Sequence, residues 1–240
     1  MNVYEVPDEL TSPRFAKAFA KGCGGRVLTD YIGGPWAGFG SPVNWVDLQQ
    51  AIAAGHNWYY GDHGYFERGS FYRITKNAYQ HNGKGQPDFR RLSRWYQSAR
   101  RFHKSGGAII VCPQSQSHFD RFGDAQWLER TLDIIHRHTD RDVIVRWKNG
   151  EDGPLVKKLS KAWAVVCHSS NAAVEALMHG VPVFVTSPNA ASFRMGKSNL
   201  AEIEYPYYPD GVYEWAGVLA ANQWTLAEME RGVAWRMLQR

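Results

Sequence analysis

The stretch VVCHSSNAAVEALMHGVPVFVT, residues 165–186, decides the fold of this chain. An apolar run ends at Cys167 and four polar residues follow: His168, Ser169, Ser170 and Asn171. A helix is expected over 171–179, Gly180 stops it, and a second apolar run, 181–186, closes the unit. Strand, loop, helix and strand in that order make a parallel βαβ unit. Working outward, AIIVC (108–112), DVIVRW (142–147) and WAVVC (163–167) read as buried strands. Helices are expected between them over 124–138, opened by Asp124, and 154–161. Four short apolar strands alternating with helices predict an open, parallel, Rossmann-like sheet.

Ligands of such sheets bind beyond the carboxyl ends of the strands, where helix N-termini point free N–H groups. Two readings of 168–171 therefore stand side by side. Ser169, Ser170 and Asn171 can be a plain N-cap, which is how such residues are most often used. They can also admit a phosphate to the backbone, with Glu175 one turn into the helix accepting hydrogen bonds from a ribose diol.

The first half is less regular. RVLT (26–29) and NWYYG (57–61) read as strands around a helix at 44–55, after an amphipathic segment at 11–21. GGPWAGFGSP (33–42) reads as a loop. A helix is expected over 90–104, with Leu92, Trp95, Tyr96, Ala99 and Phe102 on its apolar face. Thr225 and Glu228 have the spacing of a capping box opening a C-terminal helix.

Composition narrows the class. The 240 residues are 44% hydrophobic, enough for real cores. No apolar run is long enough to span a bilayer, and MNVYEVPDEL has acids where a signal peptide has bases. Cys23, Cys112 and Cys167 lack CxxC spacing and read as reduced thiols, so a cytoplasmic location without a zinc site is expected. The net charge of +5 is uneven: residues 68–104 carry +9 and the remainder −4. That segment interleaves Arg73, Arg90, Arg91, Arg94, Arg100 and Arg101 with aromatics, which suits an anionic partner.

The run HSSNAAVEALMHGVPV resembles the donor-binding motif of GT-B-type glycosyltransferases, in which a His/Ser/Asn loop precedes a helix bearing Glu and then G-x-P-V. AIIVCPQSQSH (108–118) and DVIVRWK (142–148) resemble the first strand and the diphosphate-contacting strand of the capsule-polysaccharide members. The resemblance covers roughly a third of the chain. It departs from the plant-type signature: His168 and Glu175 are seven apart instead of eight, and neither Trp nor Gly follows the His.

The resemblance implies two Rossmann-like α/β lobes of GT-B type: a small acceptor lobe at 1–104 containing the basic segment, a donor lobe at 105–224, and a helix at 225–240 returning to the first lobe. It implies a nucleotide-sugar co-substrate, UDP-sugar first, held by His168, Ser169, Ser170 and Asn171, with Glu175 on the ribose and Arg146 and Lys148 on the diphosphate. Gln114, Ser115 and Ser117, with Gln116 and His118, are further donor contacts. No bound metal is expected, and the sequence has no DxD. For a base that deprotonates the acceptor hydroxyl, Asp62 ranks first, His63 second and Asp30 third, each at an expected strand end. The bland reading of each is a turn residue.

The acceptor favoured by the basic segment is hydroxymethylated DNA, since Arg pairs with phosphates and aromatics stack on flipped bases. GT-B enzymes of bacteriophages that glycosylate such DNA are similar in outline, which would place the chain in a host cytoplasm. A polysaccharide or phosphorylated saccharide is the alternative acceptor. A rival of another class is a non-catalytic nucleic-acid-binding protein. A sugar epimerase on the same fold is a third reading, and the oligomeric state stays open.

Overall fold

The computed structural model describes residues 1–40, 44–122, 124–148 and 153–240. Along the first half run β1 (Asn2–Tyr4), α1 (Ser12–Cys23), β2 (Arg26–Leu28), β3 (Trp36–Phe39), α2 (Trp45–Ala53), β4 (Trp58–His63), β5 (Tyr72–Lys76) and α3 (Phe89–Leu92). The second half has β6 (Ala108–Cys112), α4 (Gln116–Phe122), α5 (Trp127–His138), β7 (Val143–Val145), α6 (Val156–Leu159), β8 (Ala162–Cys167), α7 (Ala172–Met178) and β9 (Val183–Val185). Then follow α8 (Val212–Ala221), β10 (Gln223–Trp224), α9 (Leu226–Glu230) and α10 (Val233–Leu238). Two compact units form, Met1–His81 with Leu219–Arg240, and Asn82–Val218. The expected boundaries were 104/105 and 224/225; the basic segment 68–104 is instead divided between the units.

The first unit is built on one six-stranded sheet, ordered β10-β5-β4-β3-β1-β2. β2, β1, β3 and β4 are parallel; β5 pairs antiparallel with β4, and β10 pairs antiparallel with β5 at the edge. Period-two alternation sorts the side chains onto two faces. Val3, Ala37, Phe39 and Tyr59 pack with Phe15 and Phe19 of α1, while Tyr4, Trp36, Trp58 and Tyr60 pack with Leu48 and Ala51 of α2. Phe15 and Phe19 are four apart on one helix face, and burying each is worth about 2–3 kcal/mol. Thr225 and Glu228 close a capping box, and the chain breaks at Gly232 (φ 72°) into α9 and α10. At Gly22 a Cβ would lie 1.8 Å from the Met229 carbonyl oxygen, so glycine lets α1 and α9 touch backbone to backbone.

Two expectations fail here. The stretch 33–42 is not all loop: Trp36–Phe39 is a buried central strand, and Ser41 and Pro42 lie outside the described residues. Gly38 belongs there because the Trp36 indole lies over it, 2.7 Å from where a Cβ would be. The expected helix 90–104 shrinks to one turn, Phe89–Leu92. Beyond it the backbone finds other partners: Arg100 N–H donates to the Met178 carbonyl at 3.0 Å and His103 N–H to that of Gly180 at 3.1 Å.

The second unit holds a parallel sheet ordered β7-β6-β8-β9. β6, β8 and β9 are nearly continuous buried runs, as expected of strands covered on both faces, while β7 is half-buried. Ile109, Val111, Ala164, Val166 and Phe184 meet Trp127 and Ile135 of α5. Near the amino ends of the strands, Arg141 grips Glu204 with Nε at 2.8 Å and Nη2 at 2.9 Å, and lies 3.8 Å over the Trp163 ring. Just past β6 the chain forms α4, Gln116–Phe122, for which the sequence reading named no helix. Among the described residues no helix is long and apolar enough to cross a membrane.

Candidate functional site

Strand order reverses between β6 and β8 in the second unit, because β7 lies on one side of β6 and β8 on the other. Open α/β sheets bind ligands in the crevice at the carboxyl ends of such a pair. The chain emerging from β6 supplies Gln114 to this crevice, and the chain emerging from β8 supplies His168 and Ser169. They meet directly: Gln114 Oε1 accepts from Ser169 N–H at 3.2 Å and from Ser169 Oγ at 2.8 Å. His168 Nδ1 is 3.3 Å from the same oxygen and 3.4 Å from Ser169 Oγ. His118, on α4, stands with Nδ1 3.5 Å from Gln114 Nε2 and Nε2 3.5 Å from Ser169 Oγ. Edge-on rings of His118, Phe119 and Trp127 wall in His168, at centroid distances of 5.6, 5.7 and 6.1 Å. Burial lowers the His168 pKa, against a smaller opposing pull from Asp124.

The cap reading of 168–171 is met by Ser170 and not by Ser169 or Asn171. Asn171 occupies the N-cap position of α7, but its side chain makes no capping hydrogen bond. Ser170 Oγ accepts from Ala172 N–H at 3.2 Å, a local turn, while Ser169 is buried and turned toward Gln114.

Arg146 leaves β7 on the neighbouring position of the same rim, its N–H bonded to the Val111 carbonyl at 2.8 Å. Its guanidinium sits by the Cys112 thiol and donates from Nη2 to the Gly153 carbonyl at 3.0 Å. Among the described residues the buried Nε–H has no hydrogen-bond acceptor and no carboxylate pairs with this arginine. Glu175 is half-buried on α7. Burial, with Glu175's charge adding to it, raises the Tyr96 phenol pKa. Burial pushes the Cys112 and Cys167 thiols up to about 11 and about 12, so both are inert core thiols. Ser115 and Ser117 are exposed, their hydroxyls 3.2 Å apart, and Lys148 is exposed beyond β7. Among the described residues no group of three or more His, Cys, Asp or Glu could hold a metal ion.

The base candidates lie in the first unit. Asp62 and His63 end β4, and Asp62 is engaged: Arg73 Nη2 donates to Oδ2 at 2.5 Å and His63 N–H to Oδ1 at 2.7 Å. Burial raises its pKa, but the Arg73 guanidinium and that N–H outweigh it and hold the carboxyl below the usual range. A carboxylate so stabilised is a poor base, which corrects its first ranking. Arg73 is corrected too: only 4% exposed, 4.9 Å over the Tyr65 ring and ion-paired with Asp62, it faces the interior and not a nucleic-acid surface. His63 lies half-buried between the Phe39 and Tyr72 rings. Asp30 is exposed after β2 and accepts from Thr29 Oγ1 at 2.9 Å.

Glu5 was missed. It follows β1 at this sheet's own reversal point, between β1 and β3, and its Oε2 is buried without a hydrogen-bond partner among the described residues. A strand of three residues at the chain start gave the sequence reading no periodicity by which to find it.

Of the remaining basic candidates, Arg90, Arg94, Arg100 and Arg101 are exposed, and Arg91 pairs with Asp88 at 3.7 Å. Of the interleaved aromatics two are buried, Phe89 is 42% exposed and the others are half-buried. Phe71 and Tyr72 are buried, Phe89 stacks on Tyr213 with centroids 5.4 Å apart, and Phe102 meets Tyr208 at 5.6 Å.

No protein-family model and no curated protein sequence matches the chain. Among solved structures it is similar to the Thermosulfurimonas dismutans KpsC beta Kdo 2,7 transferase, with a TM-score of 0.52 at 13% identity, covering 99% of this chain and 100% of that one. The beta Kdo 2,4 transferase of the same KpsC gives a TM-score of 0.42 at 13% identity, over 91% and 98% of the two chains. The first likeness establishes a shared fold.

Proposed function

We propose that the protein is a glycosyltransferase that moves a sugar from a nucleotide-activated donor, bound by the second unit, to a hydroxyl of a saccharide. The observation that carries this reading is Arg146. A buried guanidinium N–H without an acceptor costs about 1–3 kcal/mol, and at the rim of a parallel sheet a donor phosphate would offset that cost. As the anomeric C–O bond breaks, charge builds on the leaving phosphate, and a pre-positioned guanidinium stabilises it. Ser169, Ser170 and Asn171 would line the donor, with Glu175 accepting from its ribose hydroxyls. Lys148, Ser115 and Ser117 are outer contacts of the same donor. The acceptor hydroxyl loses its proton to Glu5, with His63 as the second candidate.

A saccharide acceptor is preferred to DNA because Arg73, Phe71 and Tyr72 are buried and Phe89 and Phe102 each lie against a tyrosine ring, which leaves fewer faces on which bases could stack. The name of the transferase with the similar fold points the same way. UDP-sugars are the first donors to try, together with an activated Kdo. No metal is assigned a role, and transfer should continue in EDTA.

The test is mass spectrometry of two acceptor pools, an oligosaccharide panel and hydroxymethylated DNA, each incubated with the protein and mixed nucleotide sugars. A mass gain on a saccharide that Arg146→Ala abolishes is expected. A gain on DNA alone would restore the nucleic-acid acceptor. No gain on either, with no nucleotide sugar bound in calorimetry, overturns the glycosyltransferase reading.

A further inference from the structure

The rim of the second unit holds a set of hydrogen bonds in which the Gln114 amide orientation and the His168 proton follow from donor and acceptor identity. Ser169 N–H can only donate, so the Gln114 group 3.2 Å from it is the oxygen, and the amide orientation is settled. The amide nitrogen then faces His118 Nδ1 at 3.5 Å. An amide N–H only donates, so His118 Nδ1 carries a lone pair and its Nε2 the proton, directed at Ser169 Oγ 3.5 Å away. These two contacts are long; the Ser169 hydroxyl makes the short one, 2.8 Å to Gln114 Oε1, and spends its single proton there. Both neighbours of His168 Nδ1, Gln114 Oε1 at 3.3 Å and Ser169 Oγ at 3.4 Å, are thereby acceptors. Nδ1 must carry the proton, and in a neutral imidazole Nε2 then bears the lone pair. No described residue donates to that nitrogen.

We propose that Gln114, seconded by His118, locks His168 in its Nδ1–H tautomer, so that Nε2 recognises a hydroxyl of the bound donor and not one of its phosphate oxygens. A phosphate oxygen only accepts and cannot bond to a lone pair, whereas a ribose or sugar hydroxyl donates to it. The tautomer lock stands on the unit's own geometry; the hydroxyl clause rests on the donor reading above. Gln114 and His118 are positioning residues. The ionisable groups facing His168 are His118 from α4 and Asp124 from the link to α5, the latter ion-paired with Arg130. Burial lowers the His168 pKa, which favours the neutral ring that the lock requires.

Long-range proton–nitrogen spectra of protein labelled with 15N-histidine read each tautomer directly. We expect Nδ1–H at His168 and Nε2–H at His118; an Nε2–H tautomer at His168 overturns the proposal. Gln114→Leu should release His168 into a tautomer mixture. Gln114→Glu, which keeps the acceptor, should restore the single tautomer and raise the His168 pKa. If neither variant changes His168, Gln114 does not position it, and the Glu variant decides the point even if the Leu variant does not fold. For the hydroxyl, UDP-glucose and inorganic pyrophosphate are titrated from about pH 8 to about pH 5. UDP-glucose affinity should fall roughly tenfold as His168 protonates, with no such fall for pyrophosphate. Tightening of both ligands would make His168 a cationic phosphate ligand and overturn the hydroxyl clause. Absence of UDP-glucose binding at every pH would overturn that clause along with the donor reading, while the spectra still decide the lock.

Discussion

Arg73 in the first unit and Arg146 in the second are each carried by a strand, or the residue just past one, to a place where a guanidinium leaves bulk water. Arg73 has its counter-ion within the same sheet, Asp62 at 2.5 Å on the paired strand β4. Arg146 donates to a backbone carbonyl and lies beside a thiol, with one buried N–H unanswered among the described residues. Burying an arginine with its carboxylate completes a fold, and burying part of one without any leaves a charge for something else to neutralise. The sequence pattern treats the two alike, as basic residues among apolar ones. Only the neighbour across the sheet separates a structural cation from one suited to a ligand.

Removing each arginine's role in turn breaks that comparison in opposite ways. Arg146→Ala should lower kcat/KM for donor turnover by about 10²–10³-fold, the usual loss for one transition-state donor, with thermal stability unchanged or raised. Arg146→Lys should recover little, because an ammonium lacks the planar fork. Steady-state kinetics beside a melting curve checks both, and a large drop in stability would assign Arg146 to the fold.

Asp62→Asn should do the reverse and cost about 3 kcal/mol in urea unfolding, because it strands the Arg73 guanidinium. The paired change Asp62→Leu with Arg73→Met should recover part of that loss. The Asp62 pKa is lower folded than unfolded, so its contribution is complete above the unfolded value, about 4, and is lost as pH falls through the folded one. The acid limb of the stability profile should therefore flatten in Asp62→Asn.

The two units also differ in how readily the sequence exposes them. In the second, β6, β8 and β9 are buried on both faces, so each is a continuous apolar run that helices interrupt, and the rim residues Gln114, His168 and Ser169 follow as the positions just past those runs. In the first, β1 and β2 are three residues long, and β3 lies in a Gly-, Pro- and Trp-rich stretch that reads as loop. Its glycine answers to the Trp36 ring, a contact visible only in three dimensions. The same holds for 90–104, where a helical pattern loses to hydrogen bonds that Arg100 and His103 donate to the carbonyls of Met178 and Gly180, nearly eighty residues away. At Gly180 a Cβ would come within 2.2 Å of the Arg101 carbonyl oxygen, so that docking requires glycine. Local periodicity cannot register a partner so distant.

A smaller effect sharpens the donor side. Glu175→Gln keeps the shape of the side chain and removes its charge, weakening hydrogen bonds from a ribose diol by about 1.5 kcal/mol, or roughly tenfold in donor Kd. Calorimetry with the nucleotide and its 2′,3′-dideoxy analogue checks this: the substitution should weaken the nucleotide and leave the analogue unaffected. Equal weakening of both would place Glu175 away from the ribose.

The smallest expected effect lies where the net charge is greatest. Arg90, Arg100 and Arg101 are exposed and hold much of the +9 of residues 68–104, yet the rings beside them are mostly occupied by Tyr213, Tyr208 and the core. A basic surface with fewer open aromatic faces attracts anions over a Debye length and does little to orient them. Reversing all three to Glu should change stability by about 0.5 kcal/mol or less and leave sugar transfer to a saccharide within about twofold at physiological salt. Activity lost in that variant, with a salt dependence lost alongside it, would return the acceptor to nucleic acid and make this surface, instead of Arg146, the cation on which the chemistry depends.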